Sequence, residues 1–287
     1  MRLVTFDHAG RQRLGADSAR GLVDFSVAAP DLPGTMLAFL GAGATARQRA
    51  AAAVARAQQD GTGLVPAGAT TPAAPLPRPG KIFGIALNYR DHAAETGQPI
   101  PAAPLVFSKA VTAVIAAGAP IVVPAVSAAA DYEGELAVVI GRTARRVPAT
   151  DALGYVAGYT IMNDVTARDY QARSGHCLAK SFDTFAPMGP VIVTADEIPD
   201  PGCLEIRTTL NGEVVQHSNT RHLIFSVAVL IEYLSAGVTL EPGDVITTGT
   251  PAGVGFRRQP PRFLREGDTV RIEIEQIGAL ANPVVAV

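Results

Sequence analysis

Asp131-Tyr132-Glu133-Gly134-Glu135-Leu136-Ala137-Val138-Val139-Ile140-Gly141 opens with three acidic residues at alternate positions and continues as an unbroken apolar run to a glycine. Five β-rich apolar residues in a row, closed by glycine, predict a strand over Glu133–Ile140. Side chains alternate along a strand, so Asp131, Glu133 and Glu135 are expected on one face. Three like charges side by side repel, and the apolar run beside them removes the screening of water. A bound cation would resolve that conflict, and an all-oxygen ligand set favours Mg²⁺ or Mn²⁺, with Ca²⁺ also compatible, over zinc. The other explanation is a solvated strand entrance, and this segment alone leaves both open.

Outward from this strand, short apolar or β-branched runs bounded by Gly, Pro or Asp recur at Lys81–Leu87, Leu105–Phe107, Ile121–Val123, Gly154–Asn163, Val191–Thr194 and Val245–Thr248. Leu204–Leu210 and Glu213–Gln216 flank Asn211-Gly212, a dipeptide suited to the positive φ of a type I′ hairpin turn. Thr220 is placed to cap a helix running to about Ser235. Many strands without a βαβ rhythm exclude a Rossmann sheet or a TIM barrel and predict a mainly β, mixed β-roll with some α. Residues 1–65 hold two short strands and an Ala/Arg/Gln helix from about Thr45 to Gln59, and read as a small N-terminal α+β domain. Five prolines within 66–80 fix φ and remove donors, which predicts an extended linker ahead of a catalytic domain over 81–287.

Composition narrows the function classes. The 287 residues are 48% hydrophobic and carry a net charge of −2, with no basic stripe, so nucleic acid is not an expected partner. Two cysteines, Cys177 and Cys203, cannot build a disulfide framework or a four-ligand zinc site. Met1–Asp7 reads as a strand rather than a signal peptide, and no apolar run reaches the length of a membrane span. A cytoplasmic protein away from membranes is the expectation.

Five further segments carry chemistry-bearing residues. His92 and Glu95, in Asn88-Tyr89-Arg90-Asp91-His92-Ala93-Ala94-Glu95, are spaced to touch on one helix face, where the carboxylate would orient the imidazole as a general base. Asp164 ends an apolar strand, and Arg168 and Gln171 share a face if Thr166–Gln171 is helical. Lys180 and Lys109 sit among apolar and aromatic neighbours, a setting that demands anionic partners. Thr247–Gly255 is a Gly/Thr-rich loop after a strand; its donors could receive a carboxylate, and it lacks the lysine spacing of a nucleotide loop. Each has a plain alternative: a surface pair, a helix cap, a packed lysine, a turn.

The order of these segments is more specific than any one. Asn88-Tyr89-x-x-His92-x-x-Glu95, Asp131-x-Glu133-x-Glu135, Asn163-Asp164-Val165-Thr166-Ala167-Arg168-Asp169-x-Gln171, Lys180-Ser181-Phe182-Asp183-Thr184-Phe185 and Thr248-Gly249-Thr250-Pro251-x-Gly253-Val254-Gly255 together resemble the fumarylacetoacetate hydrolase superfamily, from Lys81 to the C-terminus. The resemblance implies a β-roll catalytic domain, usually a homodimer. It implies Glu133, Glu135 and Asp164 as metal ligands, and removes Asp131 from that set. It implies His92 and Glu95 as a catalytic dyad on a mobile helix, with Lys180 catalytic and Arg168, Gln171, Thr250 and Lys109 binding substrate oxygens. The implied activity is Mg²⁺- or Mn²⁺-dependent C–C hydrolysis of a 2,4-dioxo acid from catabolism, such as an acylpyruvate, through a metal-stabilised enolate. Decarboxylation of an oxaloacetate-like acid, isomerisation or hydration of 2-oxo acids, and a non-catalytic binding role are the alternatives.

Overall fold

The computed structural model describes residues 1–66 and 68–287. Its framework is an 11-stranded mixed sheet. The main path runs Gly21–Asp24, Arg11–Ser18, Arg2–His8, Ala186–Thr194, Val156–Asn163, Gly134–Ile140, Val245–Thr247, Ile82–Ala86 and Leu105–Ser108. A second sheet of five strands, Glu213–Asn219, Glu205–Leu210, Thr269–Ile274, Gly278–Ala286 and Ile121–Val123, packs across it. A two-stranded ribbon joins Ala130–Asp131 to Thr166–Ala167. The architecture is a mainly β, mixed β-roll with helices on its outside.

Gly134–Ile140 is the centre of this arrangement, and its composition explains why. Leu136, Val138 and Ile140 enter the core between the two sheets, where they meet Ile206, Ile272 and Leu280. Ala137 and Val139 enter the opposite core, shared with Leu3, Phe39, Ala50 and Ala53. A strand covered on both faces has no polar side to show, which is why the run lacks alternation. The glycine that interrupts the acidic pair answers to the second sheet: a Cβ at Gly134 would lie 2.4 Å from the Thr208 hydroxyl. Any side chain there would push the sheets apart at the site.

The N-terminal residues continue the same sheet, because Arg2 and Leu3 pair with Val193 and Ile192. Helix Gly43–Asp60 lies on that sheet through Ala46, Ala50, Ala53 and Ala57, small residues on one stripe that allow close approach. The expected linker, 66–80, includes Ala67, which lies outside the described residues. Its later part is packed: Thr71–Pro72 pairs with the N-terminal strand, Ala74 and Leu76 are buried, and the Thr5 hydroxyl donates to the Pro75 carbonyl at 2.7 Å.

Asn211 and Gly212 have φ of 54° and 85°, as a type I′ hairpin turn requires. The helix expected to start at Thr220 starts later, at Val227, with Ser226 as its cap. The cause is tertiary. The Asn88 amide accepts from Phe225 N (2.8 Å) and donates to Phe225 O (3.1 Å), which holds the chain extended, while the buried Thr220 hydroxyl accepts from Leu204 N (2.8 Å). Among the described residues, no helix is long and apolar enough to cross a membrane.

Candidate active site

Register assembles the acidic cluster. Gly134 pairs with Asn163 across two antiparallel strands, so Glu133 and Asp164, one residue beyond, are neighbours, and Asp164 N donates to Glu133 O at 2.8 Å. Glu135 is two residues along the same face. The three carboxylates are buried, and one oxygen from each lies within 4.8 Å of the others. Asp131 is elsewhere: it belongs to the small ribbon rather than to the Gly134–Ile140 strand, so simple alternation does not extend to it.

Three cations from two other segments surround the cluster. Lys180, at the end of the helical segment Arg168–Ala179, donates to Glu133 Oε2 (2.7 Å), Asp164 Oδ2 (2.7 Å) and the Thr166 hydroxyl (2.8 Å). Arg168 Nη2 donates to Glu133 Oε1 (2.5 Å), and its Nη1 to Gln171 Oε1 (3.2 Å), which leaves the Gln171 amino group to the cavity it lines. Lys109 Nζ donates to Asp164 Oδ1 (2.5 Å) and to the Lys180 carbonyl. Burial pushes the Glu133 carboxyl up, but Lys180 and Arg168 outweigh it and hold it well below the usual carboxylate range. Burial, with Asp164 and Glu133 beside it, pushes Glu135 well above that range. The chain therefore balances Glu133 and leaves the ionised form of Glu135 without a counter-charge of its own.

That imbalance fits a divalent cation. Glu135 Oε2 accepts from the Thr247 hydroxyl and from Gly249 N (2.8 Å), so Oε1 is left toward the cavity. The donor set is all carboxylate oxygen, which suits Mg²⁺ or Mn²⁺. A buried cluster of like charges is costly without such a counter-ion.

Across the cavity stands helix Arg90–Thr96. His92 Nδ1 lies 2.9 Å from Glu95 Oε2, and Gly253 N donates to Glu95 Oε1 at 2.9 Å. A carboxylate acceptor places the proton on Nδ1 and leaves the Nε2 lone pair available in the cavity that His92 lines with Glu133 and Glu135. The cavity measures about 420 Å³, at the small end of the range for ligand sites. Leu87, Leu105, Phe107 and Phe256 supply its apolar wall.

The Gly/Thr-rich loop spends its donors on the protein's own carboxylates. Thr247 and Gly249 hold Glu135, Gly253 holds Glu95, and Gly255 N (2.8 Å) and Phe256 N (3.2 Å) hold Asp131. Gly253 needs its φ of +105°, and a Cβ there would lie 1.9 Å from the Val215 carbonyl oxygen. Thr250 lines the cavity, yet its hydroxyl donates to Gly134 O (3.1 Å) and accepts from Gln216 Nε2 (2.8 Å). Lys109 lies behind Asp164 rather than on the cavity wall, so its contact is with a carboxylate of the chain.

Two residues support the site in roles the sequence did not signal, Gln216 with no motif around it and Asp131 as an anchor for Arg168 rather than a candidate ligand. Gln216 reaches from the second sheet to accept from Gly134 N at 3.0 Å, between the two glutamates. Asp131 anchors Arg168 Nε at 2.9 Å while the Phe256 ring lies 4.3 Å from the same guanidinium. Asp131→Ala is expected to cost about 3–5 kcal/mol, since it removes one of the two carboxylates paired with the buried Arg168 and leaves the Gly255 and Phe256 N–H groups without their acceptor. The urea midpoint at constant m-value checks this, and a cost below about 1 kcal/mol would mean that the pair does not hold the site together.

Residues 81–285 match the family described as fumarylacetoacetate (FAA) hydrolase, C-terminal, and the chain belongs to that family. The mitochondrial oxaloacetate tautomerase Fahd2a of Rattus norvegicus is 44% identical over 291 residues, covering 99% of this chain and 92% of that protein. The fumarylacetoacetate hydrolase of Exiguobacterium antarcticum superposes with a TM-score of 0.87 at 35% identity, covering 100% of both chains. Maleylpyruvate hydrolase from Sphingobium sp. SYK-6, solved with manganese(II) and pyruvate, gives 0.82 at 32% identity and covers 100% of this chain and 99% of that one.

Proposed function

We propose that this protein is a divalent-metal-dependent enzyme that interconverts the keto and enol forms of a small 2-oxo acid of the oxaloacetate type. The observation that carries this reading is one oriented base, His92 Nε2, facing the carboxylate triad across a small cavity. The 44% identity to an oxaloacetate tautomerase along 99% of the chain supports it.

Glu133, Glu135 and Asp164 are the proposed ligands of Mg²⁺ or Mn²⁺. When bound there, the ion supplies a Lewis acid for the substrate's C1 carboxylate and C2 oxygen. His92 Nε2 takes a proton from C3 as the electron pair moves into C2=C3, and Glu95 stabilises the imidazolium that results. The imidazolium Nε2–H then gives that proton to the C2 oxygen to complete the enol; the reverse sequence restores the keto form. The Gln171 amino group stabilises negative charge on the substrate oxygens, while Lys180 holds the Glu133 and Asp164 carboxylates in place. Helix Arg90–Thr96 and the loop from Thr248 to Arg257 exclude bulk water. Residues 81–287 form the catalytic unit, and residues 1–65 extend its sheet.

Hydrolysis of a 2,4-dioxo acid is the second reading. The His92–Glu95 pair favours it, because the same Nε2 could deprotonate a water for attack at C4. Purified protein given enol-oxaloacetate or acetylpyruvate, with Mn²⁺ or with chelator, separates the two. Metal-dependent decay of the enol absorbance without acetylpyruvate cleavage is the expected result. Acetylpyruvate cleavage at a comparable kcat/KM establishes the hydrolase, and loss of neither substrate removes both readings.

A further inference from the structure

The cations closest to the carboxylate triad are committed within the protein. Lys180 spends three donors on Glu133, Asp164 and Thr166, and Arg168 divides its guanidinium among Asp131, Gln171 and Glu133. At the mouth of the same cavity lies another cation, Arg257, whose environment is different. It is exposed and sits in the loop that carries Thr250 and Gly253. Its Nη2 donates to the Glu95 carbonyl at 2.7 Å, in the last turn of the helix that bears His92. That single bond satisfies an otherwise orphaned helix carbonyl and fixes one edge of the guanidinium. Nε and Nη1 have no acceptor among the described residues.

From these observations we infer that Arg257 is the specificity-determining residue that receives the second, remote carboxylate of a dicarboxylic 2-oxo acid. The inference rests on the tautomerase reading and narrows its substrate class. A four-carbon 2-oxo diacid has its C1 carboxylate and C2 oxygen at one end and a C4 carboxylate at the other. With the first end at the triad, the second projects toward the mouth, where Arg257 is, among the described residues, the lining arginine or lysine not bonded to a carboxylate of the chain. A guanidinium matches a carboxylate with two parallel donors, and one already fixed at an edge loses little freedom on binding. Arg257 touches no reacting atom: it selects the diacid over its monoacid counterpart, and sets KM rather than kcat.

The test compares oxaloacetate with 2-oxobutyrate, which carries a methyl group where the diacid has its C4 carboxylate. Wild type, Arg257→Met and Arg257→Lys, each loaded with Mn²⁺, are measured for binding by calorimetry and for deuterium uptake at C3 by NMR. Arg257→Met is expected to weaken oxaloacetate binding and raise its KM by roughly 10–100-fold, the loss of a charge-assisted hydrogen bond. Any loss through the bond to the Glu95 carbonyl falls on both acids alike, so the quantity read is the preference for oxaloacetate over 2-oxobutyrate, which drops by that factor, and Arg257→Lys lies between. Equal losses on both acids overturn the inference and leave Arg257 as a support for the His92 helix; so does an unchanged preference for the diacid. If the diacid preference follows Arg257 in binding but no C3 exchange occurs, the tautomerase reading fails and the specificity assignment stands. Binding of neither acid overturns both.

Discussion

Glu135→Gln abolishes Mn²⁺ binding while raising the stability of the metal-free protein. Both effects come from one imbalance. In the metal-free chain, Glu135 is buried beside Asp164 and Glu133, and no ammonium or guanidinium group is bonded to it; Lys180 and Arg168 serve Glu133 instead. Replacing the carboxylate with an amide removes the repulsion and keeps an oxygen for Thr247 and Gly249 to donate to. The fold therefore keeps its contacts at this position. Wild-type protein at a free Mn²⁺ concentration 100 times its Kd gains about 2.7 kcal/mol, since the ion binds only the folded state. The variant is expected to gain none of this. Thermal unfolding with Mn²⁺ and with chelator reads both quantities, and an equal metal-induced shift in variant and wild type would exclude Glu135 as a ligand.

The second large effect is on rate. His92→Ala is expected to lower kcat by roughly 10²–10⁴, the range for removing a positioned general base, and to leave Mn²⁺ affinity unchanged. The argument is geometric: Glu95 fixes the imidazole through Nδ1, the loop fixes Glu95 through Gly253 N, and the free nitrogen remains for the substrate. Steady-state kinetics with metal titration separates this variant from Glu135→Gln, which loses the metal. A kcat within a few-fold of wild type would remove His92 from proton transfer.

Local features of this chain were legible because their causes are local. The doubly buried run Leu136–Ile140, the Asn211-Gly212 turn and the helix of alanines around Ala50 follow from periodicity, backbone freedom and residue size. The carboxylate cluster was legible in part, since alternation relates Glu133 to Glu135. Its third member depends on the pairing of Gly134 with Asn163, which no single-segment pattern encodes. Alternation misplaced Asp131 because the chain changes sheet between Asp131 and Gly134. The start of the helix at Val227 was missed because the side chain that holds the preceding Phe225 extended, Asn88, lies 137 residues from it. Thr250 and Lys109 show the same limit: a hydroxyl or ammonium aimed at a substrate and one that braces a neighbouring carboxylate are the same residue type in sequence. Only the partners differ, and these are Gly134 and Gln216 for Thr250, Asp164 for Lys109.

Deuterium uptake at C3 of oxaloacetate, followed by NMR in D₂O, reads the proposed chemistry most directly, because it counts the proton that His92 is assigned to move. With Mn²⁺, wild-type protein is predicted to exchange the C3 protons far faster than buffer, and chelator, Glu135→Gln and His92→Ala each to return the rate toward that of buffer. Exchange no faster than buffer with the metal-loaded protein, or undiminished exchange in either variant, would contradict the account.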